Sequence, residues 1–134
     1  MAIQWDQSLS VGIDEIDNQH KELFNRVNAL LDACNQGKGK QVVGEIIDFL
    51  GDYVVTHFGA EERYMQQYNY PDYDAHKAMH DGFIDSFGQL KKKFESEGPG
   101  IQLVLQTNRT VVDWLIKHIG NTDKALGAFL KTKM

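Results

Sequence analysis

One cysteine and two prolines set the first limits on this chain of 134 residues. A lone thiol, Cys34, cannot close an internal disulfide, which suits a reducing compartment. No apolar run approaches the roughly 20 residues that a membrane span requires. The N-terminal stretch MAIQWDQSLSVGIDE has no basic segment followed by an apolar one, so it does not read as a secretory leader. These absences predict a cytoplasmic protein with no membrane partner. Positive charge is scarce as well: 14 Lys and Arg against 19 Asp and Glu give a net charge of −5. The single basic run (Lys91, Lys92 and Lys93) is short and reads as a solvated helix face, so a nucleic-acid partner is excluded. What is left is an ordinary globular composition and about one domain's length, enough for one hydrophobic core.

Turn signals divide the chain: GKG at 37–39, NYP at 69–71, GPG at 98–100 and GNT at 120–122. The segments between them carry helical periodicity and no strand-like alternation. Helices are predicted over 14–36, 41–68, 72–97 and 101–119, with a short one over 123–131. Long amphipathic helices joined by short links predict an all-α, up-down-up-down four-helix bundle. The chain then reads as a single domain, 1–134, with an N-terminal arm (1–13), the bundle (14–119) and a C-terminal segment (120–134). Five glycines fall inside helices (Gly44, Gly51, Gly59, Gly82 and Gly88), each costing about 1 kcal/mol relative to alanine. Close helix approach is the reason expected for some of them.

Steps of three and four trace the buried stripe of each helix. The first gives His20, Phe24, Val27, Leu31 and Cys34, and the second Ile47, Leu50, Val54, His57, Glu61 and Met65. The third gives Tyr73, His76, His80, Phe83, Phe87, Leu90 and Phe94. The fourth gives Val104, Val111, Leu115 and His118, with Leu105, Val112 and Ile119 alongside. All five histidines therefore fall on stripes that otherwise read as core, and that many buried polar rings need partners. His20, His76 and His80 lie early in odd helices, whereas His57, Glu61 and His118 lie late in even ones. In an up-down-up-down bundle those positions are at the same end. Asp123 stands five residues after His118, a separation that does not align on an α-helix. A left-handed turn at Gly120 and Asn121 is the expected way to fold it back.

Neutral imidazoles suit iron, zinc, copper and nickel, and carboxylates can bridge two ions. The set exceeds the four ligands of one tetrahedral zinc and points to a dinuclear site bridged by Glu61 and Asp123. No serine lies on a stripe near the cluster, which weakens a Ser-His-Asp reading. The repeated Glu-x-x-His pattern of ferritin-like carboxylate centres is absent. A His-rich, carboxylate-poor site favours reversible binding over oxidation of a substrate. Cys34 and Met65 read as packing, Glu62 as solvated, and Tyr73 as a hydroxyl that could serve an outer partner.

The motifs DNQHKELF (His20), HFGAEE (His57, Glu61), HKAMH (His76, His80) and HIGNTD (His118, Asp123) resemble the hemerythrin family in its single-domain bacterial form. The resemblance covers nearly the whole chain, including an arm with Trp5. It implies a non-haem centre of two iron ions with a bridging oxo or hydroxo group. His76, His80 and His118 would hold one ion, and His20 and His57 the other, which keeps an open position. Glu61 and Asp123 would bridge both. Dioxygen would bind reversibly at the open ion, and azide or similar small anions would take that place in the diferric form. An oxygen-binding protein is implied, not an enzyme, for storage or for delivery to oxygen-consuming enzymes. The alternatives are an oxygen or redox sensing module and a di-iron peroxidase-type enzyme. Leu23, Phe24, Val54 and Leu115 stand about one helical turn from these histidines, Phe58 and Ile119 directly follow two of them, and all six are expected to wall the oxygen pocket.

Overall fold

Three of the four breakers act where the sequence places them. Gly37 (φ 70°) follows the first helix, Asn69 (φ 55°) the second and Gly98 (φ 78°) the third, each in the left-handed region where a helix cannot continue. The computed structural model describes residues 3–134, with helices α1 (Asp14–Asn35), α2 (Lys40–Gln67), α3 (Tyr73–Glu97), α4 (Ile101–Thr107), α5 (Asp113–Lys117) and α6 (Lys124–Lys133). Helix α1 packs on α2 and α4, and α3 packs on the same two, which is the predicted up-down-up-down bundle. Among the described residues no helix is long and apolar enough to cross a membrane.

The fourth helix departs from expectation. It does not stop at Gly120 and Asn121, neither of which has a positive φ. Instead π-helical turns over Asn108–Val112 and His118–Asp123 link α4, α5 and α6 into one continuous rod. Its buried side is Leu103, Thr107, Val111, Leu115, Ile119 and Asp123, at constant intervals of four. Four residues overshoot an α-helical turn by roughly 40°, so repeated steps of four would carry the stripe round to solvent. A π turn holds an extra residue and cancels that drift. The predicted inward positions Val104 and Leu105 are displaced accordingly: Val104 is half-buried and Leu105 is exposed, while Leu103 and Thr107 point inward.

Two apolar clusters result. The larger fills the bundle; the smaller joins Val11, Ile13, Ile16, Met65, Tyr70, Leu126 and Leu130 from the arm, α1, the end of α2, the link to α3, and α6. Cys34 and Tyr73, expected inside, pack at the edges of these clusters and are only partly buried. The arm is tied down at two places. Asn28 exchanges hydrogen bonds of 2.8 and 2.7 Å with the backbone of Ile3. Buried Asp17 accepts from the Val11 amide (2.8 Å) and the Ser10 hydroxyl (2.6 Å).

Close approach explains two of the five helical glycines. A Cβ at Gly51 would lie 3.0 Å from the Phe87 ring and one at Gly44 3.3 Å from Phe94, so α2 seats two aromatic rings of α3. A Cβ at Gly59, Gly82 or Gly88 would meet nothing within 4 Å among the described residues, and nothing in the structure explains these three. A Cβ at Gly127 would overlap the carbonyl of Val11, where α6 meets the arm. Gly88→Ala is expected to stabilise the fold by roughly 0.5–1 kcal/mol through helix propensity. Gly127→Ala is expected to cost about 1–3 kcal/mol by overpacking. Urea unfolding of the two variants checks both signs.

Candidate metal centre

Each helix of the bundle contributes to one buried cluster. His20 comes from α1, His57 and Glu61 from α2, His76 and His80 from α3, and His118 and Asp123 from the second π turn. All are at most 5% exposed. The pairs His57/Glu61 and His76/His80 share a helix face because residues four apart are neighbours. His118 and Asp123 are five apart, and the π turn aligns that spacing. The His118 Nε2 stands 3.1 Å from Asp123 Oδ1. The geometry thus delivers Asp123 by a wider helical turn and not by the broken helix the sequence suggested.

The donors divide into two sets around the carboxylates. Glu61 Oε1 lies 3.2 Å from His76 Nε2 and 3.1 Å from His80 Nε2. Asp123 Oδ1 lies 3.1 Å from His76 Nε2 as well as from His118. On the other side, Glu61 Oε2 stands 3.1 Å from His57 Nε2 and 3.4 Å from His20 Nε2, and Asp123 Oδ2 stands 3.1 Å from His20. Each carboxylate thus turns one oxygen to each set: His76, His80 and His118 on one side, His20 and His57 on the other.

Short as these contacts are, none of the four carboxylate oxygens is aligned as a hydrogen-bond acceptor. The nitrogens and oxygens converge on shared points, and His118 Nε2 also stands 3.2 Å from the Nε2 atoms of His80 and His76. Ligands at about 2.1 Å from a cation and at right angles are about 3.0 Å apart, close to the spacings here. Buried carboxylates without directed donors are costly, and a cation in each set removes that cost. The donor set therefore fits divalent metal ions, five donors on one side and four on the other.

Two outer partners were not legible as such. Gln19 Oε1 accepts from His57 Nδ1 at 2.7 Å, and Glu62 Oε2 accepts from His80 Nδ1 at 3.0 Å. Glu62, expected to be solvated, is 21% exposed and orients a histidine on the neighbouring helix. An acceptor on Nδ1 keeps the proton there and leaves the Nε2 lone pair facing inward. The signal was adjacency: Gln19 precedes His20 and Glu62 follows Glu61, each turned about 100° off the stripe toward the next helix. Trp114 is a further omission; its indole stacks on His118 at 4.2 Å between centroids, as Phe58 stacks on His80 at 3.9 Å. Leu23, Phe24, Val54, Phe58, Leu115 and Ile119 are all buried in the main cluster. Tyr73 serves Gln66 (3.0 Å) at the surface, and Met65 packs in the smaller cluster.

The profile of the Hemerythrin HHE cation binding domain matches residues 11–130. The chain belongs to the hemerythrin family. It is 41% identical over 114 residues to the bacteriohemerythrin of Methylococcus capsulatus, covering 85% of each chain. To the bacteriohemerythrin of Pseudomonas paraeruginosa it is 38% identical over 120 residues, covering 89% of this chain and 75% of the relative. The hemerythrin-like protein of Naegleria gruberi is 37% identical over 119 residues, with coverages of 89% and 86%. A crystal structure of a wild-type hemerythrin matches the fold with a TM-score of 0.86 at 37% identity, over 97% of this chain and 98% of that one. In this hemerythrin-family chain the His/Glu/Asp cluster is able to bind metal and is consistent with a non-haem di-iron site.

Without a cation, the hemerythrin cluster is held by its own charges. Burial pushes the rings of His20 and His76 down, but the facing Asp123 and Glu61 outweigh it and raise both from 6.5 to about 9. Burial pushes Glu61 and Asp123 up, and Glu61 pushes Asp123 further, yet the imidazoles win. Glu61 is held well below 4.5, and Asp123 falls from 3.8 to about 2. The histidine contribution to stability is complete below pH 6.5 and is lost as pH rises through about 9. The carboxylate contribution is complete above 4.5 and is lost as pH falls through the lowered values. For chelator-stripped protein this cluster therefore stabilises most between 4.5 and 6.5. Divalent cations, which require neutral imidazoles, are expected to move the optimum upward. Melting temperature against pH, with and without metal, checks this. A stripped protein whose stability climbs steadily from about pH 5 to about pH 9 contradicts it.

Proposed function

We propose that the protein binds dioxygen reversibly at a non-haem di-iron centre, for storage or delivery within the cytoplasm, and is not an enzyme. The observation that carries this reading is the split of one buried cluster into five donors and four around two shared carboxylates. In this reading His76, His80 and His118 hold one iron, His20 and His57 hold the other, and Glu61 and Asp123 bridge them. The five-donor side would be the fuller of the two, and the four-donor side would leave a position for a small ligand. An iron pair held this way supplies reversible two-electron binding of dioxygen.

The remaining residues hold, orient and exclude. Gln19 and Glu62 fix the tautomers of His57 and His80, and Phe58 and Trp114 stack on the rings of His80 and His118. Leu23, Phe24, Val54, Phe58, Leu115 and Ile119 keep water and anions from the open position. Glu62 meets the outer nitrogen of His80, away from the Nε2 that faces the donor cluster, which favours binding over catalysis.

Protein expressed with ample iron is expected to carry two irons per chain, measured by metal analysis; one zinc and no iron retained overturns the reading. Reduced protein is expected to gain a visible charge-transfer band with dioxygen and lose it when the gas is removed, and azide is expected to give the diferric form a band of its own. Direct conversion of reduced protein to the diferric state, with no reversible step, favours an oxidase or peroxidase. Leu115 is 1% exposed, and burying a leucine in place of water is worth about 1.5–3 kcal/mol, tenfold or more in water occupancy. Leu115→Asn is therefore expected to speed decay of the oxygenated band severalfold at unchanged iron content. An unchanged rate in folded, iron-replete protein removes Leu115 from the pocket.

A further inference from the structure

The two donor sets differ in what stands behind them. Each has one imidazole whose outer nitrogen meets a side-chain acceptor, and the two acceptors differ by a full charge. Behind His80, in the five-donor set, is the Glu62 carboxylate; behind His57, in the four-donor set, is the neutral amide of Gln19. The other buried outer nitrogens, His20 Nδ1 and His76 Nδ1, have no partner among the described residues. A carboxylate accepting the Nδ1 proton draws it outward and makes Nε2 a stronger donor; an amide does so less. Glu62 lies on α2 and reaches His80 on α3, so it acts on the metal position without touching it.

Two asymmetries point the same way. The His76/His80/His118 side offers five donors and the His20/His57 side four. The former has an imidazole backed by a carboxylate, the latter one backed by a neutral amide. Whichever position fills first meets both shared carboxylates uncompensated, which spaces the two steps apart while the donor count and the outer partner decide their order. We propose that the centre loads in a fixed order, the His76/His80/His118 position filling first and the His20/His57 position second, with Glu62 and Gln19 as the positioning residues that set the gap. The proposal rests on the dinuclear reading above. Its consequence is that the position left open for a small ligand is also the labile one, from which metal leaves first.

The test uses full-length protein stripped with a chelator and titrated with Co2+, whose visible absorption reports each position as it fills, against a competing chelator. Wild type is expected to bind two Co2+ in resolved steps at least tenfold apart. Removing an outer-sphere partner typically costs 10- to 100-fold in affinity, so Glu62→Gln is expected to weaken the first step by about that factor and leave the second nearly unchanged. Gln19→Glu is expected to tighten the second step and narrow the gap, a gain that no loss of packing can mimic. His118→Ala is expected to act on the first step and His57→Ala on the second, with helicity by circular dichroism checked for every variant. Two steps of equal affinity, Glu62→Gln acting on the second step or on both alike, or no tightening in Gln19→Glu overturns the ordering. One Co2+ per wild-type chain overturns the dinuclear reading itself.

Discussion

Two carboxylates buried at one end of a helical bundle are the constraint around which this protein is arranged. Glu61 and Asp123 are at most 1% exposed, and each must be answered on both of its oxygens. A single neighbouring helix cannot do that. The imidazoles come from α1, α2, α3 and the turn before α6, so every side of the bundle is committed to the same pair of anions. Charges taken out of water at this depth are tolerated only when compensated almost completely, which makes the cluster a condition on the relative heights of the helices as much as a site.

The apolar structure serves that condition. The main core fixes the distance between helices, the rings of Phe58 and Trp114 lie flat on two imidazoles, and the smaller cluster closes the end of the bundle with the arm and α6. Gly44 and Gly51 let α2 and α3 come close around Phe94 and Phe87, and α2 and α3 carry four of the donors between them.

Periodicity made most of this legible. The helix limits followed from Gly37, Asn69 and Gly98, and the histidines were visible because they interrupt stripes of Leu, Phe and Val. Two kinds of feature were not. The π turns leave no composition signal: HIGNTD contains Gly and Asn, which ordinarily announce a break, and only the constant step of four from Leu103 to Asp123 hints at a wider turn. Gln19 and Glu62 were missed because they sit off the stripes of their own helices and act on a neighbour's histidine. A pattern drawn one helix at a time does not register a partner that crosses between two.

The contact of His20 with Asp123, 3.1 Å across nearly the whole length of the sequence, has a consequence in time. A chain emerging from the ribosome presents His20 early and the other α-helical donors next, but His118 and Asp123 come last. Until then Glu61 has no companion carboxylate, the five-donor set lacks two of its members, and α6 is not there to meet the arm. Metal capture in this geometry is therefore confined to chains whose synthesis has passed Asp123. A chain that stops short of Asp123 lacks a member of both donor sets and cannot assemble the cluster.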